Sequence, residues 1–368
     1  MATGMSLTPP WRFSDSPDAG ELVAFAPAHK AMPYIVPMIY GRSEFPNADA
    51  RMPDRIEYRD KKIIKYTEKT LIPRRIVLNK DGSIHSESFR RKRTNYHGGL
   101  KHKGDDLFHP RRDDYKNTHV KLDHPIYYVD TEHPDIFGHF LIEVLPDLWG
   151  FHLVKSPKLK LASSVKMSAS YLKMLSTLGI FESDIIHISG PTSSDEIYMP
   201  SPAILRRRYI DPIGRDVFDR VRNLALSSSW QSKDRIYVSR SKAPGRGLEN
   251  EKEVEDVFFR YGFTIIHPQE MAIEDQIKAF RDAKMIAGTG GSAMHNAIYS
   301  GKDAKVLILA TDTWFVLADS FICNKKGQLG YVFGETTVDN EKLPERHKSE
   351  WVINLKEVES AILSHFSL

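Results

Sequence analysis

Two stretches of the chain decide its fold: RIYVSRSKAPGRGLENEKEV at residues 235–254 and KMIAGTGGSAMHNAIYS at residues 284–300. Each begins with a short apolar run that predicts a strand, and each continues through a polar or glycine-rich loop into a helical pattern. Successive strand, loop and helix units indicate a parallel sheet, whose ligands bind at the carboxyl ends of the strands. The sequence therefore predicts an α/β fold with a binding site after these two strands.

The same alternation continues on both sides of these stretches and divides the chain into parts. Strands are predicted at residues 126–129, 185–188, 196–199, 235–239, 263–267, 285–287 and 306–309, and helices from Phe137 and at 249–261, 273–281, 292–299 and 355–366. Because 368 residues exceed the usual size of one core, two domains are expected, at 1–205 and 206–345. The last segment, 346–368, is expected to return its helix to the first domain.

Composition is that of a soluble globular protein, with 41% hydrophobic and 27% charged residues. No apolar run approaches the length that a membrane helix needs, and no secretory signal is recognisable. Cys323 is the single cysteine, which excludes an internal disulfide and a cysteine-based zinc cluster. These features together indicate a cytoplasmic protein.

Positive charge is concentrated between residues 51 and 120, where Lys and Arg clearly outnumber Asp and Glu. RRKR at 90–93 and KHK at 101–103 could attract an anionic membrane surface or an acidic polysaccharide, which would place the protein peripherally at the inner membrane face. The alternative is a solvated charged face. Aromatic residues are sparse here, so nucleic acid is not an expected partner.

The loops after the two deciding strands carry candidate phosphate contacts. The candidates are Ser239, Arg240, Lys242, Arg246 and Asn250 in the first loop, and Gly290, Gly291, Ser292, Ala293 and Asn296 in the second. Guanidinium groups bind phosphate oxygens in pairs, and a helix N-terminus presents backbone N–H groups to an anion. The alternatives are a surface salt bridge for the arginine and tight strand-to-helix packing for the glycines. No metal-binding motif accompanies them.

A third group lies in FGHFLIEVLPDLWG at residues 137–150, where His139, Glu143 and Asp147 follow one another at four-residue spacing. A regular helix would stack all three on one face. The rest of this segment is strongly apolar, so ionisable groups here need partners or a function. One interpretation is that these three residues are catalytic. The other is that both carboxylates pair with arginines of the basic segment and that His139 is a core histidine.

In this order, GHFLIEVLPDLW, YVSRSKAPGRGLENEKEV and GTGGSAMHN resemble the motifs of glycosyltransferase family 61, which includes xylan-modifying and N-acetylglucosaminyl transferases. The resemblance implies a GT-B fold, two Rossmann-like domains facing across a cleft. It also implies inverting, metal-independent transfer from a nucleotide sugar, with a UDP-sugar as the donor substrate and no further cofactor. The arginines and asparagine of the family pattern correspond to Arg240, Arg246 and Asn250. The family's histidine in the glycine-rich turn is replaced by Gly290.

Inversion needs a group that deprotonates the acceptor hydroxyl on the face opposite the departing nucleotide. His139 is the expected general base, with Glu143 orienting or replacing it and Asp147 as the remaining candidate, since an imidazole suits proton transfer at neutral pH. The expected acceptor is a glycan or glycolipid of surface-polysaccharide biosynthesis. Two alternatives stay open: a GT-B-like nucleotide-sugar epimerase, and a scaffold that binds nucleotide or glycan without catalysis.

Overall fold

The computed structural model of the chain describes residues 7–14, 20–42, 44–45, 52–90, 96–206, 208–242, 247–313, 316–325, 327–337 and 350–368. Within them the α/β class is confirmed, because several sheets are combined with helices. The chain forms two compact units, neither of which is continuous in sequence. The first unit comprises Met1–Lys30, Tyr58–Leu205 and Ile210–Val217, and the second comprises Ala31–Glu57, Arg206–Tyr209 and Phe218–Leu368.

The strands are short, and most belong to sheets of mixed direction. In the first part of the chain they are β1 Trp11–Arg12, β2 Glu21–Ala26, β3 Met32–Pro33, β4 Met38–Tyr40, β5 Arg55–Ile56, β6 Lys61–Tyr66, β7 Thr70–Ile72, β8 Ile76–Leu78, β9 Leu100–His102, β10 Leu107–Pro110, β11 Val120–Leu122 and β12 Ile126–Tyr128. They continue as β13 Lys160–Ser163, β14 Ile185–His187, β15 Thr192–Ser194, β16 Ile197–Pro200, β17 Ile204–Leu205, β18 Tyr209–Ile210, β19 Arg235–Val238, β20 Thr264–Ile266, β21 Met285–Thr289, β22 Lys305–Thr311, β23 Leu329–Thr336 and β24 Trp351–Val352.

The helices include several of non-α type. The α-helices are α1 Phe137–His139, α2 Ala169–Ser176, α3 Pro212–Val221, α4 Glu251–Arg260, α5 Ile273–Asp282, α6 Ala318–Ile322 and α7 Leu355–Phe366. A π-helix covers Phe140–Val144, and 3-10 helices cover Ser86–Ser88, Asp113–Lys116, Leu145–Leu153, Glu182–Asp184, Arg222–Ser227, Pro268–Glu270 and Ser292–Tyr299.

The main sheet of the first unit has the strand order β14-β13-β12-β16-β6-β2. The four strands from β14 to β16 are parallel, while β6 and β2 add antiparallel strands at one side. From β12 the chain proceeds to β13 and β14 on one side and then crosses to β16 on the other. The direction of winding therefore reverses between β12 and β16, the position where an open α/β sheet forms a ligand crevice.

The main sheet of the second unit has the order β20-β19-β21-β22-β23, with β4 and β24 also paired to β23. Its central strands are parallel, and β22 is an apolar run buried on both faces, as expected for the middle of such a sheet. Winding reverses between β19 and β21, the two strands that open the stretches 235–254 and 284–300. The predicted strands and helices of this region are confirmed, with ends that differ by a few residues.

The last helix, α7, packs within the second unit. Val358, Ile362 and Phe366 of α7 share a buried cluster with Val254 and Phe258 of α4. Its apolar stripe is covered by α4 and the central strands, and His365 of α7 also contacts Tyr40 of β4, a strand from residues predicted to belong to the first domain. Asn354 begins the helix by accepting a hydrogen bond from the backbone N–H of Lys356 at 3.0 Å.

Candidate functional site

The crevice end of β12 in the first unit is organised by Asp130, which is fully buried. Its carboxylate accepts hydrogen bonds from the Ser164 hydroxyl at 2.8 Å, the Thr131 backbone N–H at 2.9 Å and the Arg75 backbone N–H at 3.0 Å. Burial raises the pKa of Asp130, although these donors favour the charged form. Asp130 thus ties the ends of β12 and β13 together and fixes the position of Thr131.

Thr131, His139 and Glu143 form a hydrogen-bonded group beside this strand end. The Thr131 hydroxyl donates to Oε2 of Glu143 at 2.6 Å, and Nδ1 of His139 lies 3.0 Å from the same oxygen. The Glu143 side chain is 3% exposed and that of His139 is 14% exposed. Since Nδ1 is held by the carboxylate, the other ring nitrogen, Nε2, is left for a substrate, and it has no hydrogen-bond partner among the residues described. The predicted pair is therefore brought together in a form suited to proton transfer.

Asp147 does not join this group. Its carboxylate accepts from Nη1 of Arg90 at 2.6 Å and from the backbone N–H of Ala203 at 2.8 Å, and the two charged side chains are 4% and 1% exposed. The segment changes from π-helix to 3-10 helix at Leu145, just before Pro146. Each residue of a 3-10 helix turns roughly 120° about the axis, compared with roughly 100° in an α-helix, so four-residue spacing across this change of helix type no longer keeps side chains on one face. Asp147 therefore pairs with an arginine of the basic segment, which is the structural alternative that the sequence left open.

In the second unit, Glu251 connects both strands at the crevice. Its Oε1 accepts from the Arg240 backbone N–H at 2.8 Å, the Thr289 hydroxyl at 3.0 Å and the Tyr237 hydroxyl at 3.2 Å. Burial raises the pKa of Glu251, although the hydrogen bonds from these three donors favour the charged form. Burial also lowers the pKa of the Arg240 guanidinium, an effect that the charge of Glu251 opposes. The first turn of α4 thus fixes where Arg240 leaves β19 and where β21 ends.

The other predicted contacts of the first loop have partners within the chain. The Ser239 hydroxyl donates to Oε1 of Glu255 at 2.6 Å. Lys242 pairs with Glu270 at 2.8 Å, and both side chains are about half exposed. The side chain of Asn250 donates to the carbonyl of Ile353 at 2.9 Å and accepts its N–H at 3.2 Å. These bonds shape the loop around Arg240. Arg246 lies outside the described residues.

The glycines of the second loop differ in what they contact. A Cβ at Gly288 would lie 2.7 Å from Val238 and from the sulfur of Met294, so close packing requires glycine there. The Gly290 backbone N–H donates to the carbonyl of Leu309 at 2.8 Å and is not directed at a ligand. After Gly291 the chain enters the 3-10 helix Ser292–Tyr299, whose first N–H groups have no acceptor within the helix.

That 3-10 helix also carries a buried polar pair and an unmatched amide. Nδ1 of His295 lies 2.6 Å from Oδ1 of Asp319 on α6. Asn296 is fully buried, and neither atom of its amide has a hydrogen-bond partner in the described part of the chain. Sequence analysis predicted Asn296 but missed Asp319. It also missed Thr131, although the polar run at residues 130–132 directly after a buried strand was a usable signal.

A cavity of about 1000 Å³ lies at the ends of β4 and β23, on the second unit. Arg42, Glu335 and Glu357 contribute charge to its lining, and Phe45 and Phe333 contribute aromatic surface. None of the predicted phosphate contacts lines it. The residues that follow β4 and line one side of the cavity, from Gly41 to Phe45, come from the part of the chain predicted to belong to the first domain.

A comparison with known protein families matches the part of the chain that contains both the His139 group and the loop of Arg240. The family model described as Glycosyltransferase 61 matches residues 137–307, which confirms the resemblance drawn from the motifs. The match includes His139, Glu143, Arg240 and the glycine-rich loop. None of the curated proteins compared with the chain matches it. Among the helices that are described, none has the length and apolar character needed to cross a membrane.

Proposed function

We propose, from the match of residues 137–307 to a glycosyltransferase family, that the protein is an inverting transferase of the GT-B class. Its donor is a UDP-sugar and its acceptor is a hydroxyl of a glycan or glycolipid. One observation carries the donor half of this proposal: Arg240 and the N-terminus of the 3-10 helix Ser292–Tyr299 follow β19 and β21, the two strands between which the winding of the sheet reverses. Ligands of open parallel sheets bind at this position.

The chemistry of this position suits a diphosphate. A guanidinium group donates paired hydrogen bonds to phosphate oxygens and stays charged at any physiological pH. The unpaired N–H groups of a helix N-terminus add a partial positive charge. Glu251 fixes both the arginine and the end of β21 that leads to the helix, because it accepts hydrogen bonds from the backbone of Arg240 and from the hydroxyl of Thr289. Arg240, Ser292 and Ala293 are the proposed contacts to the leaving nucleotide.

His139 is the proposed base. In the transfer step, the acceptor hydroxyl gives its proton to Nε2 of His139 while its oxygen forms a bond to the anomeric carbon of the donor sugar. The bond from that carbon to the β-phosphate oxygen breaks, and its electron pair leaves with UDP. Glu143 holds Nδ1 of His139 and stabilises the imidazolium that forms, and Thr131 fixes Glu143 in turn. The reaction as proposed needs no metal ion.

The donor half is tested by calorimetric titration of UDP into the unmodified protein and into an Arg240→Ala variant. Loss of a charge-assisted contact is worth about 1.5–3 kcal/mol, so the affinity is expected to fall roughly 10- to 100-fold. Lys242→Ala is the matched control, since Lys242 makes a surface ion pair with Glu270 and its loss should change the affinity less than about threefold. Equal affinity of the Arg240→Ala variant and the unmodified protein would remove Arg240 from the site.

A further inference from the structure

His295 and Asp319 form a buried ion-pair geometry that neither the motifs nor the family pattern explains. The Nδ1 to Oδ1 distance is 2.6 Å, and the two side chains are 6% and 3% exposed. The two residues come from different elements, the 3-10 helix Ser292–Tyr299 and α6, so the contact aligns the imidazole against a fixed carboxylate. A histidine held through Nδ1 presents Nε2 in a defined direction.

Several polar atoms in and around this pair lack a hydrogen-bond partner in the described part of the chain. Within the described residues, Nε2 of His295 has no hydrogen-bond partner, and neither do the buried Oδ2 of Asp319 and both amide atoms of Asn296. Ser292 likewise has no side-chain hydrogen bond there. Buried polar groups in folded proteins are nearly always hydrogen-bonded, and a cluster of exceptions indicates a bound molecule or water. The unmatched groups here all lie on one short helix and its partner.

The helix geometry places His295 on the side of the proposed donor contact. A 3-10 helix has three residues per turn, so Ser292, His295 and Ile298 lie above one another on one face. Ser292 and Ile298 are both partly exposed, so this face is accessible to solvent at both ends. With a rise of about 2 Å per residue, His295 lies roughly 6 Å along the helix from Ser292, within reach of a diphosphate held at its first turn.

We propose that His295, positioned by Asp319, binds the diphosphate of the donor through a hydrogen bond from Nε2. The inference rests on the proposed function and adds a contact to the same site. As an imidazolium, His295 has an N–H on each ring nitrogen: Nδ1 donates to Asp319, and Nε2 donates to a phosphate oxygen. Asp319 supplies the counter-charge, so the buried pair is neutral overall. His295 makes and breaks no covalent bond. Asp319 is a positioning residue, since it acts through the imidazole.

The test titrates UDP and inorganic pyrophosphate separately into four proteins by calorimetry. They are the unmodified chain, His295→Gln, Asp319→Asn and the control His187→Gln, which changes an exposed histidine of β14. A glutamine amide can reach Asp319 but cannot donate at both ends as an imidazolium does. We expect His295→Gln and Asp319→Asn to weaken both ligands roughly tenfold, because one charge-assisted hydrogen bond is lost, and His187→Gln to leave both affinities unchanged.

Proton and nitrogen NMR measures the chemical shifts of the imidazole groups. If the pair of His295 and Asp319 were only structural, adding UDP would leave the signal of His295 unchanged. We expect UDP to shift one imidazole signal of the unmodified protein. This signal should be absent from the spectrum of His295→Gln, and in Asp319→Asn it should already be displaced before ligand is added. If His295→Gln does not fold, this shift in the unmodified protein and in Asp319→Asn decides the question. If Arg240→Ala weakens UDP binding while His295→Gln binds both ligands normally, the inference fails and the proposed function stands. If the unmodified protein binds no UDP, both fail.

Discussion

Replacing Asp147 by asparagine tests whether this residue has a structural role. The substitution keeps the size of the side chain, and its amide oxygen can still accept from the Ala203 N–H. Its amide N–H groups, however, would face the guanidinium of Arg90, which now approaches the carboxylate at 2.6 Å. The buried ion pair between Arg90 and Asp147 would then be lost. Removing one partner of such a pair costs about 3–5 kcal/mol of unfolding free energy.

The assay is urea and thermal unfolding followed by tryptophan fluorescence. Trp149 is a local probe, because it lies in the same 3-10 helix as Asp147 and its indole N–H donates to the carbonyl of Ser201 at 3.1 Å. For a unit of this size, each kcal/mol lowers the melting temperature by about 2–4 °C, so we expect a decrease of roughly 6–20 °C. The double variant Arg90→Met with Asp147→Leu should recover most of the loss, since an apolar pair leaves no buried charge.

Activity separates this account from a catalytic role. Nucleotide release per folded molecule should stay within about threefold of the unmodified protein, because Asp147 does not contact His139 or Glu143. An Asp147→Asn variant with an unchanged unfolding free energy and more than tenfold slower release would refute the structural assignment.

Three other predictions concern packing and pH. Gly288→Ala should cost about 1–3 kcal/mol of unfolding free energy, because its new Cβ would overlap the neighbouring strand, whereas Gly290→Ala should be tolerated in the same urea titration. Burial lowers the pKa of His85 from 6.5 to about 4, so the unfolded chain takes up a proton first as the pH falls. The stability contribution of His85 is therefore complete above pH 6.5 and is lost between pH 6.5 and pH 4, by at most about 3 kcal/mol. His85→Asn, which can keep the helix cap, should flatten that pH dependence; an unchanged slope would contradict it.

The second unit was largely predictable because its elements have strong local patterns. Both faces of β22 are buried, so it reads as a continuous apolar run, and α5 shows an amphipathic stripe of Ile273, Ile277 and Phe280. The loops after β19 and β21 could be recognised from their arginines and glycines. Their meeting at one crevice also followed from the sequence, since parallel strands end at the same edge.

Other features depend on contacts between distant residues. Strand β23 was missed because two glycines interrupt it, and both are required by close neighbours: Tyr40 lies against Gly330, and Trp351 lies against Gly334. The pairing of β4 with β23 joins residues far apart in sequence, which no local pattern records. The separation of Asp147 from Glu143 depends on a change of helix type at Leu145, and hydrophobic periodicity does not encode that change.

The most direct test of the central claim is release of UDP from a panel of UDP-sugars, with and without candidate acceptor glycans. We expect at least one UDP-sugar to release UDP, and we expect His139→Ala to slow this release roughly 100-fold or more while calorimetry shows unchanged UDP affinity. Release by His139→Ala at the rate of the unmodified protein, or no release from any UDP-sugar, would contradict this claim.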